Sequence, residues 1–312
     1  MLKPIFCLMG PTASGKTALS FELAKHFPIE IISVDSTLIY REMNIGTAKP
    51  TVEELKLVPH HLIDILDPTE SYSAAQFCED AKKLIKAISD RGNYPFLVGG
   101  TMLYYHALQQ GLSTLPAADE KIREELLTEA MLYGWEHLHQ KLKEVDPPSA
   151  AKIHQNDSQR IQRALEVYRL SGKPLSSFFE AKKEKELHFF NLSLLPEDRA
   201  WLHQRIASRF QEMLNQGLVY EVAEILQKWQ LSSDCPSMKS VGYRQVIDYL
   251  AGDYDYTFLA EKGIAATRQL AKRQMTWLRN WKAPNYVYAC DKKSLSTEVI
   301  AKVNEILAAF KA

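Results

Sequence analysis

Residues 10–17 read GPTASGKT and follow the apolar run Ile5, Phe6, Cys7, Leu8, Met9. A glycine, four residues and then Gly-Lys-Ser/Thr, set between a strand and a helix, is the P-loop pattern. In that geometry Gly10, Thr12, Ala13, Ser14 and Gly15 turn backbone N–H groups into a concavity at a helix N-terminus. Lys16 adds a mobile positive charge, and the Thr17 hydroxyl can ligate a metal. The segment therefore binds phosphate groups, and it commits its flanks to the strand–loop–helix unit of an α/β sheet. An ordinary glycine-containing turn is the bland alternative, disfavoured by the strand in front. The motif leaves open whether the phosphates are donated by a nucleotide or depart as a leaving group.

Over 312 residues, 46% hydrophobic and 24% charged, the chain has enough apolar material for one large or two smaller cores, which excludes disorder. Lys plus Arg and Asp plus Glu are both 38, so only a local cluster of charge can argue for nucleic acid. Cys7, Cys78, Cys235 and Cys290 lack the close spacing of a metal or redox pair and read as reduced, mostly buried thiols. No stretch approaches the ~18 apolar residues of a membrane helix, and the N-terminus lacks a cleavable signal pattern. The expectation is a cytoplasmic monomer with no membrane contact.

Leu19 and Leu23 place a helix over 16–26, and 29–34 reads as a buried parallel strand ending in Asp35. Ligand crevices of open α/β sheets lie at the carboxyl ends of the strands, so Asp35 stands beside the P-loop. Position alone leaves it as an acting carboxylate, a Mg²⁺ ligand of the Walker B kind or a turn residue. The segment 35–50, DSTLIYREMNIGTAKP, has neither helical nor strand period and reads as a functional loop. The adjacent His60 and His61 fit phosphate contact or structure better than zinc, because neighbours in sequence rarely share an ion without a third ligand. Ser73 and Gln76 form a capping box for a helix with Phe77, Ala81, Leu84, Ile85 and Ile88 on one face, ended by Gly92. A third strand, 94–98, runs into Gly99, Gly100 and Thr101. There small residues let a ligand approach, and no acid closes the strand, which mildly disfavours an NTPase.

From Ser113 the βα alternation stops and a charge-rich helical stretch runs to about Leu187, read as an inserted domain. In its segment 157–168, Ile161, Leu165 and Tyr168 share an apolar face, and Arg160 and Arg163 lie on another that is basic or merely solvated. The sheet resumes over 188–195. The next helix buries Leu202, Ile206 and Leu214, with Arg205 and Arg209 one turn apart, either closing over phosphates or forming a surface pair. Residues 240–245 turn into a further helix. Finally, 262–282 holds six basic residues and no acidic one. Its wheel puts Arg268, Lys272 and Arg279 on one face, Leu270, Trp277 and Trp281 on the opposite, buried one, and Arg273 at the border. RNA backbone is the natural partner of such a stripe, with an acidic protein surface as the rival.

Seven segments in order, GPTASGKT at 10–17, DSTLIYREMNIGTAKP at 35–50, PHHLID at 59–64, LVGGTMLY at 97–104, NDSQRIQRALEVYRLSGKP at 156–174, SVGYRQ at 240–245 and RQLAKRQMTWLR at 268–279, span the whole chain. Together they make it resemble the bacterial tRNA dimethylallyltransferases (tRNA isopentenyltransferases). The resemblance implies an α/β fold, a P-loop, nucleoside-kinase-like parallel sheet with helices on both faces (1–114 and 188–312), carrying an all-helical insertion (115–187) that contacts tRNA. It implies transfer of a dimethylallyl group from dimethylallyl diphosphate to N6 of adenosine 37 in the tRNA anticodon stem-loop, with Mg²⁺ on Thr17 and release of diphosphate. Asp35 is then the general base, Thr101 an orienting hydroxyl, and Arg209 a diphosphate ligand beside Gly10 and residues 12–17. RNA contacts are implied at Asp35, Ser36, Thr37, Leu38, Thr101, Arg123, Gln159, Arg160, Ile161, Gln162, Arg163, Ser240, Val241, Gly242, Tyr243, Arg244, Gln245, Arg268, Lys272, Arg273 and Arg279. Leu38 stands where many members carry Gln, so a side-chain contact made there elsewhere is replaced here by backbone or apolar contact. On the P-loop alone, a kinase of a small molecule or nucleotide would lead; Gly99–Gly100–Thr101 and the basic stripe reverse that order.

Overall fold

The computed structural model describes residues 3–111, 115–178 and 187–311. In chain order its elements are β1 (Ile5–Met9), α1 (Lys16–Ala24), β2 (Ile29–Val34), α2 (Val52–Leu57), β3 (His60–His61), α3 (Ala74–Asp90), β4 (Tyr94–Gly99), α4 (Met102–Gln110), α5 (Glu120–Val145), α6 (Pro147–Ala150), α7 (Ser158–Ser171), a 3-10 turn (Leu175–Phe178), β5 (Phe189–Leu195), α8 (Arg199–Asn215), α9 (Leu218–Trp229), α10 (Tyr243–Leu250), α11 (Tyr256–Arg279), β6 (Asn285–Ala289) and α12 (Leu295–Lys311). They fall into two compact units, Met1–Leu108 with Lys185–Ala312, and Gln109–Glu184. The expected end of the βα alternation at Ser113 lies outside the described residues.

In the first unit six strands pair in the order β3-β2-β4-β1-β5-β6, every pair parallel. Because β1 has β4 on one side and β5 on the other, the order switches at β1, where a crevice opens at the carboxyl ends. Covered on both faces, the central strands β1 and β4 are continuously apolar rather than alternating. Ile5, Cys7 and Met9 of β1 pack with Phe77, Ala81 and Ile85 of α3 and Tyr105 of α4. Phe6 and Leu8 pack with Leu19 and Leu23 of α1 and Val299 and Val303 of α12. The Ser73–Gln76 capping box is present in full. The edge strand β3 was not expected, since two residues are too few to show a period.

Helices α8, α9, α10 and α11 form a further layer, in which Phe210, Leu218, Val222, Tyr243 and Leu259 bury Ile39, Tyr40 and Met43 of the 35–50 loop. Ala13 of the P-loop packs on Leu202 and Ile206 of α8 and on Ala271 and Met275 of α11. Both the cradle and the loop are thus clamped from outside the sheet.

The second unit is all-helical among the described residues. Its core joins Leu126, Leu138 and Leu142 of α5 to Ile161, Ala164 and Leu165 of α7. Within α5, Gly134 takes φ 83 and ψ 160 and breaks the helix, a conformation glycine adopts without a Cβ clash. Glu166 of α7, fully buried, accepts from Arg123, Arg163 and the Asp119 amide. None of the four cysteines forms a disulfide. No helix among the described residues is long and apolar enough to cross a membrane.

Candidate active site

A cleft of about 700 Å³ lies at the carboxyl ends of β1, β2 and β4, lined entirely by the first unit. Its floor is the P-loop. Ala13 (φ 63) and Gly15 (φ 91) both take left-handed backbone, uncommon for alanine, and so curl the loop. The Lys16 ammonium donates to the carbonyls of Gly10 (2.9 Å) and Pro11 (2.7 Å). Burial, then the nearby Arg209 cation, push it down to about 8, with Asp35 opposing. Ser14 Oγ is buried with no hydrogen-bond partner among the described residues, so its hydroxyl is free to donate. Thr17 is exposed to the same cleft. A hydroxyl in that position suits the Mg²⁺ that accompanies phosphates on a P-loop.

Across the cleft, Asp35 Oδ1 accepts from the Thr37 amide (2.8 Å) and hydroxyl (2.6 Å). Its Oδ2 makes no hydrogen bond among the described residues and stays available. The Ser36 amide donates to Thr101 Oγ1 (3.1 Å), and the Thr101 amide to the Val34 carbonyl (3.1 Å), tying the ends of β2 and β4 together. From α8, Arg205 donates to the Ala13 carbonyl (2.9 Å) and Arg209 to the Thr47 carbonyl (3.4 Å). Arg209, held below the ordinary guanidinium value mainly by burial, links the cradle to the 35–50 loop.

The glycines at the end of β4 line the cleft and also serve a purpose that the sequence did not show. A Cβ on Gly99 would fall 2.1 Å from the Val34 carbonyl oxygen, and one on Gly100 2.4 Å from Gln274 Nε2. They admit neighbouring chain as well as bordering the cleft. Gln274 is the residue sequence reading missed. Its Oε1 accepts from the Thr12 amide and its Nε2 donates to the Gly100 carbonyl, both at 2.9 Å. Its sole sequence signal is a polar residue in register with Ala271, Met275 and Leu278, the buried face of α11.

That face corrects the expected wheel. Leu270 and Trp277 line the cleft, Trp277 being 40% exposed, while Trp281, beyond the helix end, packs against the core as expected. The largest apolar residues were assigned to the core, whereas close packing of α11 on the P-loop and α8 uses small and flexible ones, Gly263, Ala271 and Met275. Arg268, Lys272, Arg273 and Arg279 are exposed, and Arg273 reaches the cleft.

Of the other expected RNA contacts, Ser36, Thr37, Leu38, Val241 and Gly242 line the cleft. Tyr243 does not: it is fully buried, its hydroxyl on Glu221 at 2.6 Å. Gln245 accepts from the Gly242 amide, Ser240 is half-buried and Arg244 exposed. In the second unit Gln159 and Arg160 are exposed and Gln162 donates to the Arg123 carbonyl. The Ile161 side chain is fully buried, and Arg123 and Arg163 are engaged by Glu166. His60 Nδ1 donates to the Val58 carbonyl and its ring lines the cleft beside Phe21, while His61 hydrogen-bonds Glu30. No group of three His, Cys, Asp or Glu able to hold a metal occurs among the described residues.

Fold and cleft together define a P-loop α/β protein in which the phosphate cradle faces a carboxylate and a hydroxyl. The sequence matches the family profiles described as IPP transferase over residues 38–281 and isopentenyl transferase over 3–69. It is 58% identical over 308 residues to a tRNA dimethylallyltransferase of Legionella pneumophila (strain Lens), covering 98% of both chains. A tRNA dimethylallyltransferase of Coxiella burnetii (strain RSA 331 / Henzerling II) is 53% identical over 297 residues, 95% of this chain and 96% of the relative. The crystal structure of a full-length tRNA isopentenylpyrophosphate transferase from Bacillus halodurans superposes with a TM-score of 0.72 at 38% identity, over 98% of this chain and 97% of that one. A eukaryotic dimethylallyltransferase, captured acting on tRNA, superposes at 0.83 with 27% identity, over 98% and 80%. The chain belongs to the tRNA dimethylallyltransferase family.

Proposed function

We propose that this protein transfers a dimethylallyl group from dimethylallyl diphosphate to the exocyclic N6 of adenosine 37 in the tRNA anticodon loop. The observation that carries the reading is that the phosphate cradle and the uncommitted oxygen of Asp35 open into one cleft. The P-loop amides, Lys16 and Arg209 hold the diphosphate and take up the charge that develops as the allylic C–O bond breaks. A Mg²⁺ held by the Thr17 hydroxyl would add Lewis-acid stabilisation to the same oxygens.

An exocyclic amine conjugated with a purine is a weak nucleophile, so losing its proton must accompany attack. Asp35 Oδ2 takes that proton as the N6–C bond forms and diphosphate leaves. Thr37 fixes the carboxylate through Oδ1, and Thr101 orients the substrate at the strand ends. The adenosine has to leave its stack to reach the cleft, which costs less in a single-stranded loop than in a duplex. Exposed Arg160, Arg268, Lys272 and Arg279 are suited to the RNA backbone, and the second unit is suited to gripping the anticodon stem.

The test incubates the protein with unmodified tRNA, Mg²⁺ and labelled dimethylallyl diphosphate, and in parallel with ATP. Label should move to tRNA, with no appreciable turnover of ATP. Stoichiometric ATP hydrolysis without prenyl transfer would put the kinase reading first.

A further inference from the structure

Trp277 is an indole left 40% exposed at the wall of the cleft, although large aromatic side chains ordinarily bury most of their surface. It is held in place. The His106 ring of α4 meets it at 5.8 Å and 66°, and His106 in turn meets Trp281 at 6.4 Å and 89°. These edge contacts fix the indole without covering both its faces. Leu103, 53% exposed, lines the same cleft from α4.

One helical turn before Trp277 stands Arg273, which also lines the cleft, and Lys272 and Arg279 flank the pair on α11. None of these three cations, nor Arg268, is in an ion pair among the described residues, in a chain whose formal net charge is zero. A rigid exposed aromatic beside unpaired cations is the arrangement by which proteins take single-stranded nucleic acid: cations track the phosphates, and an unstacked base lies on the ring.

We propose that Trp277 is a stacking platform for a nucleobase extruded from the RNA loop, with Arg273 placed to bind its phosphate. The inference rests on the RNA-prenylation reading above and sharpens it by naming the side chain that receives a base.

The experiment uses the full chain, as wild type, Trp277→Phe and Trp277→Ala, with an anticodon stem-loop in which one loop adenosine at a time is replaced by 2-aminopurine. That base fluoresces and is quenched on stacking. In the wild type at least one position should be quenched on binding. Trp277→Phe should keep most of the quench, and Trp277→Ala should lose it and bind the stem-loop about 5- to 100-fold more weakly, the range expected for one lost base–aromatic stack. Inorganic diphosphate should bind all three proteins alike. Unchanged RNA affinity in Trp277→Ala, equal loss in the Phe and Ala variants, or loss of dimethylallyl diphosphate affinity in place of RNA affinity would each overturn the proposal. If wild-type protein prenylates the unlabelled stem-loop, any of those outcomes removes the platform alone; if it does not, the underlying reading fails first.

Discussion

Asp35 illustrates how a single side chain is held by what its neighbours occupy. Thr37 takes Oδ1 twice, with amide and hydroxyl, so the carboxylate cannot rotate freely and Oδ2 is the oxygen left to work. Asp35→Asn keeps the shape and most of those bonds but cannot accept a proton. kcat should therefore fall by about 10² to 10⁴, the usual loss on removing a general base, with tRNA and diphosphate affinities within about threefold of wild type. Single-turnover kinetics at saturating tRNA reads the change, and restoration by excess Mg²⁺ would mean that Asp35 holds metal instead. This residue was legible in the sequence, because a strand-end acid beside a P-loop is placed by topology. Gln274 was not. A glutamine inside a basic, amphipathic helix reads as solvated surface, and only the fold brings it between Thr12 and Gly100, residues 262 and 174 positions away.

The 35–50 loop shows the same division one level up. Its irregular course could be read from its lack of period, but what holds it could not, because its anchor lies far along the chain on α9. Glu221 accepts from the amides of Asn44 (3.0 Å), Ile45 (2.7 Å) and Gly46 (3.1 Å) and from the buried Tyr243 hydroxyl. A Cβ on Gly46 would lie 2.5 Å from the Tyr243 ring, so the loop is seated against it with no room for a side chain. Tyr243 thus supports the loop from behind and takes no part in lining the cleft. In Glu221→Gln an amide NH₂ replaces one acceptor and opposes the loop's donors. The lost bonds to a charged group are worth about 1.5–3 kcal/mol. Hydrogen exchange of amides 44–46 should accelerate about 10- to 100-fold and the KM for tRNA should rise, while diphosphate affinity holds. Unaltered exchange at those amides would remove Glu221 as the anchor. On α11 the period located the helix and its cations correctly, yet bulk was a poor guide to burial where helices approach closely.

Across the whole molecule, the sheet's stability depends on polar ties as well as on its two apolar layers. Glu30, on β2 and 3% exposed, accepts from Arg91 through both guanidinium arms (2.9 and 2.6 Å), from Asn93 (2.8 Å), and pairs with His61 of β3 (2.8 Å). One buried carboxylate therefore joins β2, β3 and the turn between α3 and β4. The Arg91 bonds chiefly, and those of Asn93 and His61 after them, outweigh burial and hold its carboxyl at about 2, against an ordinary 4.5. A carboxylate with a depressed value in the folded state adds stability above its unfolded value, and that stability is lost as pH falls toward the folded one. The contribution is thus full above about pH 4.5 and gone near pH 2, and, since Arg91 is half exposed, amounts to about 2–3 kcal/mol. Glu30→Gln should unfold at lower denaturant than wild type at pH 7, and the gap should close steadily between about pH 4.5 and pH 2. Urea midpoints of both proteins across that range decide the matter. A gap independent of pH would mean that the glutamine costs packing alone and that the Glu30 charge contributes nothing to holding the edge of the sheet.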